Sequence, residues 1–250
     1  MKLKKTVGSI KVNQYLDELF FVETSKEQKK TNKFGFMSDN FIKKHDGLHI
    51  VFTGCSVTSG VGLKKEEVWS NLLYKKISEK EKCSGYFNLA IRATGLCDQI
   101  LNLFKYFKIY GNPDIIFINI TNEIRFYASE NNKIRHGFFH ESEKKLILFL
   151  YKQYYNMLET YCLSKNIQLY SFTWVRNESS DLPKEFEKNF KTFYRHNDKD
   201  RLNFIFDYNE KNLNKKYVLK ARDGIHHGTA FHEYWKEFMY EIYQKHKIKN

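Results

Sequence analysis

The sequence is short of cysteine and proline, and it has no long apolar run. Four cysteines, Cys55, Cys83, Cys97 and Cys162, are spread over 250 residues. They form no CxxC pair and no zinc-type spacing, so the common structural zinc modules are excluded. Reduced thiols in a cytosolic-type protein are the simplest account of them. No apolar stretch approaches the ~20 residues of a membrane-spanning helix. The N-terminus starts basic but lacks a continuous apolar core, so no signal peptide is expected and the chain is expected to be cytoplasmic or otherwise non-secreted. Acidic residues are also in deficit. Lys and Arg number 42 against 29 Asp and Glu, a formal net charge of +13. The lysines are scattered, with no basic helix and no aromatic RNA-binding signature. That argues against nucleic acid as a direct partner and for a solvated, lysine-rich surface. Internal repeats and low-complexity segments are missing too.

What is present is a chain long enough to bury a full core in one domain. Aromatics make up 17% of it, mostly Phe and Tyr. Residues 1–47 are polar and basic but hold Phe20, Phe21, Phe34, Phe36 and Phe41, which predicts an extension packed on the domain 48–250. From His49 onward apolar runs alternate with helical periodicity. Strands are expected at His49–Phe52, Tyr86–Ala90, Asp114–Ile120 and Ile167–Trp174, with Asp114–Ile120 central. Helices are expected at Glu66–Lys80, Cys97–Tyr110, Glu143–Lys165 and Thr229–His246. Within the second, Ile100, Leu101, Phe104 and Phe107 are expected to face inward. The charged stretch from Asn177 to about Arg201 reads as a helical insertion or excursion, and Leu202–Phe206 as a further short strand. The alternation implies an α/β fold: a mostly parallel sheet covered by helices on both faces.

The stretch LHIVFTGCSVTSGVG, Leu48–Gly62, organises this pattern. A buried strand breaks into small residues, and a sharp turn there places Ser56 at the carboxyl edge of the sheet, where α/β folds bind their ligands. Three more strand ends or loops carry polar or glycine residues: Asn88–Gly95, Asn119–Glu123, and Asp223–Gly228 just before the final helix.

In order and placement these four stations resemble the blocks of the SGNH, or GDSL-type, serine hydrolases. Block one is similar to Gly54–Cys55–Ser56–Val57–Thr58–Ser59–Gly60, block two to Asn88–Gly95, block three to Ile120–Thr121–Asn122–Glu123, and the last to Asp223–Gly224–Ile225–His226. The resemblance implies a single three-layer α/β/α domain of SGNH-hydrolase-like, flavodoxin-like type. It implies Ser56 as nucleophile, with His226 as base and Asp223 as its acid. It also implies an oxyanion hole from the Ser56 N–H, the Ala93 N–H and the Asn122 side-chain amide. Three residues depart from the family pattern. Cys55 stands where Asp is usual, and Ala93 and Ile120 stand where glycine is usual. Ala93 retains the backbone N–H but demands a conformation open to a Cβ.

The chemistry of the residues agrees with these roles. A serine hydroxyl needs a base, histidine has the right pKa class, and a carboxylate three residues away can fix its tautomer. Each residue also has a plainer reading. Ser56 could be a turn serine, Asn122 a strand-end cap, and Asp223 a turn residue beside solvated His226 and His227. Cys55 could be the nucleophile one position out of register, although its side chain should point away from that of Ser56. His226, His227 and His232 lack the HExxH pattern and any placed acidic or Cys ligand, so neither metal nor other cofactor is expected. Arg92 and Arg125 could bind an acidic substrate or pair with local carboxylates such as Glu123. The expected activity is hydrolysis of a carboxylic ester, with a small acyl group on a carbohydrate or similar polar small molecule, through an acyl-serine. Acyl transfer uses the same residues. The competing expectation is a non-catalytic binding protein on the same scaffold.

Overall fold

Side chains two apart along a strand share one face of a sheet, and that rule separates this protein's core into two layers. The structure is a computed structural model and describes residues 32, 34–122, 126–130, 133–137, 141–175 and 180–247. Phe20 and Phe21 of the extension, Glu123 of the third station, Arg125, and positions 177–179 of the charged stretch lie outside the described residues. The sheet is built from β1 (Ile50–Thr53), β2 (Phe87–Asn88), β3 (Ile115–Ile120) and β6 (Gln168–Thr173). They are all parallel, in the order β2-β1-β3-β6, with Val51 opposite Ile116 and Ile118 opposite Ser171. All six residues of β3 are buried, as an inner strand requires.

Val51, Phe87, Ile116, Ile118 and Leu169 face one layer. There they meet α2 (Leu96–Tyr110), α3 (Glu141–Ser164) and α4 (Leu182–Asn189) through Ile100, Leu103, Tyr155 and Phe186. Ile50, Phe52, Phe117, Tyr170 and Phe172 face the other layer. They pack on α1 (Trp69–Ser78) and α6 (Thr229–His246) through Trp69, Leu73, Trp235 and Met239. Phe36 and Phe41 of the N-terminal segment insert into the first layer, where Phe41 packs edge-on to Tyr106 at 5.3 Å. The expected three-layer α/β/α architecture with a mostly parallel sheet is therefore present.

Several elements differ from expectation. Leu202–Phe206 is not a strand but a turn of α5 (Asp198–Lys211). The Asn197 side chain caps that helix by accepting the Lys199 N–H at 2.9 Å, and Ile205 is buried while Phe206 is 62% exposed. Only one face of the apolar cluster is covered, which a helix allows. Leu101 lies outward from α2, at 46% exposure, because α2 offers the core a narrower face than its apolar residues could fill. A two-stranded antiparallel hairpin, β4 (Phe126–Glu130) with β5 (Lys133–Gly137), has no counterpart in the expected element list. No helix among the described residues is long and apolar enough to cross a membrane.

Candidate active site

Because the strands run parallel, the segments that leave β1, β2 and β3 emerge at one edge of the sheet. After β1 the chain turns tightly. The Ser59 N–H donates to the Cys55 carbonyl at 2.9 Å, and the Val61 N–H to the Ser56 carbonyl at 3.1 Å. Gly54 makes this closure possible, since a Cβ there would stand 2.3 Å from Thr58 Oγ1. Asn88, at the end of β2, holds the turn from the side. Its amide donates to the Thr58 carbonyl and to Tyr86 Oη, both at 2.9 Å, while its Oδ1 accepts the Ala90 N–H. The buried Asn88 is thus a brace between the first two stations.

The second station lies directly on the first, with the Ile91 N–H donating to the Gly54 carbonyl at 3.2 Å. Two residues on, Ala93 is exposed and adopts φ 62°. This is the left-handed region, in which a Cβ costs roughly 1 kcal/mol. The usual glycine of the resembling family would sit there without cost. Ala93→Gly is therefore expected to raise stability by up to about 1 kcal/mol in chemical denaturation while retaining the backbone N–H. A loss of stability would show that the alanine methyl has a packing role.

The third station is tied to the second by Tyr151 of α3. Its hydroxyl accepts the Leu96 N–H and donates to the Asn122 carbonyl, each at 3.2 Å. Leu96 opens α2, so this buried phenol satisfies a first-turn amide and fixes the height of Asn122 together.

The fourth station is strapped onto the first. The Arg222 N–H donates to the Gly62 carbonyl at 3.0 Å. The Arg222 guanidinium grips Glu67 with two bonds, 2.6 and 2.9 Å long. Those bonds hold the Glu67 carboxyl below its usual range. Gly62, at φ 76°, lies so close that a Cβ would stand 3.1 Å from Asp223 Cγ. Within this loop both oxygens of the Asp223 carboxylate are engaged. Oδ1 accepts the Ile225 and His226 N–H groups at 3.0 Å each, and Oδ2 meets His226 Nδ1 at 2.5 Å. Burial works against the charge on Asp223, but the bonds from the His226 ring and from the two amides outweigh it and lower its pKa. An ionised carboxylate only accepts, so Nδ1 carries the proton of this bond, which in the neutral imidazole makes Nε2 the accepting nitrogen.

Asp223 and His226 are therefore brought together as expected. Ser56 is not hydrogen-bonded to His226 among the described residues. It is 6% exposed, and its Oγ points to Cys55 Sγ at 4.0 Å. The expected contact between Ser56 Oγ and a His226 ring nitrogen is therefore not made. Cys55 is fully buried, in the layer with Val57, Leu63 and Trp69. It is a core residue, inaccessible to an ester.

The three C-terminal histidines do separate jobs. His227 stacks on Phe231 at 4.2 Å. His232 is buried, and its Nδ1 accepts the Trp69 N–H at 3.0 Å, capping the start of α1. Sequence spacing could not reveal Tyr151, Arg222, Glu67 or His232 as supports. The partners of Arg222 and His232 lie 155 and 163 residues away.

No protein-family model matches this sequence, and no curated protein matches it. Solved structures do. The psychrotrophic esterase EstA from Pseudoalteromonas sp., in a structure inhibited by monoethylphosphonate, is 14% identical with a TM-score of 0.50, covering 78% of this chain and 96% of that one. TesA is 11% identical (78% and 98% covered, TM-score 0.49), and the acetyl xylan esterase AlAXEase 15% (77% and 98%, TM-score 0.48). The likeness to EstA is one of fold. The resemblance to SGNH/GDSL-type esterases carried by the four sequence stations thus extends to the arrangement of the chain.

Proposed function

We propose that this chain is a serine esterase of the SGNH type, cleaving a small acyl group from a carbohydrate or similar polar alcohol. The observation that carries the reading is the Asp223–His226 pair, preformed on a loop bonded to the Ser56 turn. In the reaction Ser56 Oγ attacks the ester carbonyl carbon, and His226 Nε2 takes the hydroxyl proton. The oxyanion is received by the Ser56 and Ala93 N–H groups and the Asn122 amide. Collapse expels the alcohol, which leaves with the proton from His226. Water then repeats the sequence on the acyl-serine and releases the acid. Asp223 holds the imidazole in the required tautomer throughout. EstA, which shares the fold, is an esterase inhibited by a phosphonate, and phosphonates mimic the tetrahedral stage of such a reaction.

A series of 4-nitrophenyl esters from acetate to long chains tests this directly. Turnover is expected for the short chains and decline for the long ones, because no apolar lid stands out in the sequence to receive a long acyl chain. Asn122→Ala is expected to lower kcat about 10²–10³-fold, the usual effect of losing one oxyanion donor, with little change in KM. A rate unchanged in that variant would remove Asn122 from the mechanism.

A further inference from the structure

Arg92 stands beside the candidate oxyanion residue Ala93, and it differs from the protein's other arginines. Among those whose side chains are described, Arg195 pairs with Glu187, Arg201 with Asp198 and Arg222 with Glu67. Arg92 is half-buried and makes no hydrogen bond or ion pair among the described residues. Burial pulls its pKa down from the ordinary value, and the charge of Asp223 pulls it back up. Asp223 is thus near enough to be felt, yet it does not answer the guanidinium. Its oxygens are taken by His226 and the Ile225 and His226 amides. Arg92 follows Ile91, whose N–H is bonded to Gly54 two residues before Ser56. Its backbone therefore lies beside the Ser56 turn, and the charge of Asp223, on the loop that bears His226, acts on its guanidinium. A half-buried guanidinium with no acceptor among the described residues keeps its five donors for water or for an anionic group brought by a ligand.

We propose that Arg92 is a specificity residue that receives an anionic group, a carboxylate or a phosphate, carried by the ester substrate. This rests on the esterase reading above and narrows it. The fork of the guanidinium matches both anions with two parallel bonds. The net charge of +13 favours the approach of such a substrate.

Two pairs of esters test the proposal. 4-Nitrophenyl hydrogen adipate against 4-nitrophenyl hexanoate places the anion in the acyl group. 3-Carboxy-4-nitrophenyl acetate against 4-nitrophenyl acetate places it in the leaving group. The quantity to follow is the ratio of kcat/KM for the anionic ester to that for its neutral partner. In at least one pair the ratio is expected to fall about 10- to 100-fold in Arg92→Gln, the range of one charge-assisted hydrogen bond, and to recover in part in Arg92→Lys. Intrinsic leaving-group differences cancel between wild type and variant, and damage to the oxyanion hole would lower both members of a pair alike. In the wild-type protein the same ratio is expected to fall as ionic strength rises, which keeps the test open if a variant misfolds. Turnover of both kinds of ester with a ratio indifferent to Arg92 and to salt would overturn the anion proposal and leave the esterase standing. Turnover of none, together with Ser56 inert to a fluorophosphonate, would overturn the esterase and this proposal with it.

Discussion

Ser56→Ala is expected to abolish ester turnover while leaving the fold intact. The hydroxyl makes one long contact, to Cys55 Sγ, so its removal should shift stability by no more than about 0.5 kcal/mol. His226→Ala should come close to the same loss. Nucleophile and base act as a unit, so the double variant should be scarcely worse than either single one. His227→Ala should do far less, since that ring stacks on Phe231 instead of meeting a carboxylate. The check is kcat/KM for a short-chain nitrophenyl ester in the wild type and these four variants, with thermal melts to establish folding. Activity that survives Ser56→Ala would place the nucleophile elsewhere. Activity lost equally in His227→Ala would make the Asp223 spacing irrelevant.

The protein is also expected to lose stability steeply between pH 6.5 and 4.5. Three buried histidines are held neutral in the fold. His49 is pushed down to about 3 by burial, and by His45 stacked on it with ring centroids 3.5 Å apart. His232 is pushed down to about 3 by burial, then by His227 and His226. His196 is pushed down to about 4 by burial, then by Arg201, with Asp198 opposing. In the unfolded chain each titrates near 6.5, so below that pH the unfolded state binds more protons than the folded one. Stability is therefore complete above 6.5 and drains away until the folded values are reached. By pH 5 each histidine has withdrawn about 2 kcal/mol, roughly 6 in all, which is comparable to the whole stability of an ordinary domain. Carboxylates with lowered pKa values, such as Asp223, Glu67 and Glu237, add their loss only below about 4.5. The two causes thus separate by pH. Urea denaturation at half-unit steps from pH 7.5 to 4.5 measures the slope. His49→Asn should reduce it by about one proton. A flat profile between pH 7 and 5 would contradict the assignment of these histidines as buried and neutral.

Much of the scaffold was legible because its signals are local. β1 and β3 are mostly apolar (IVFT and IIFINI), β6 alternates apolar with polar residues (QLYSFT), and α1 and α6 carry one apolar face. What stayed hidden depended on distance or on ambiguity. Leu202–Phe206 is apolar enough for a strand, but the Asn197–Asp198 start preceding it is a helix cap, and the structure follows the cap. The core role of Met239 and Tyr243 on α6 could not be separated from that of Phe238 and Ile242, since all lie on one broad apolar arc. In the site, the residue types of the four stations were readable in order, and the Asp223–His226 pairing followed from a spacing of three. The braces that set their positions were not readable. Tyr151 joins the second and third stations across the sheet layer, and Arg222 with Glu67 joins the first and fourth. Such contacts are made by the fold, and no local pattern announces them.

The competing account is a binding protein that keeps the scaffold without the chemistry. It has Cys55, Ala93 and Ile120 in its favour as departures from the resembling pattern. The structure gives those residues roles a catalyst tolerates. Cys55 and Ile120 are core residues, and Ala93 adopts the left-handed backbone that glycine would take without cost, while retaining an N–H. An acyl-enzyme decides between the accounts, because a scaffold has no reason to activate a serine. The most direct measurement is the intact mass of the folded protein after exposure to a fluorophosphonate, with the modified residue located by peptide mapping. The esterase account predicts one adduct, on Ser56, absent from Ser56→Ala and strongly slowed in His226→Ala. Folded protein that stays unmodified, or an adduct on any other residue, would contradict it.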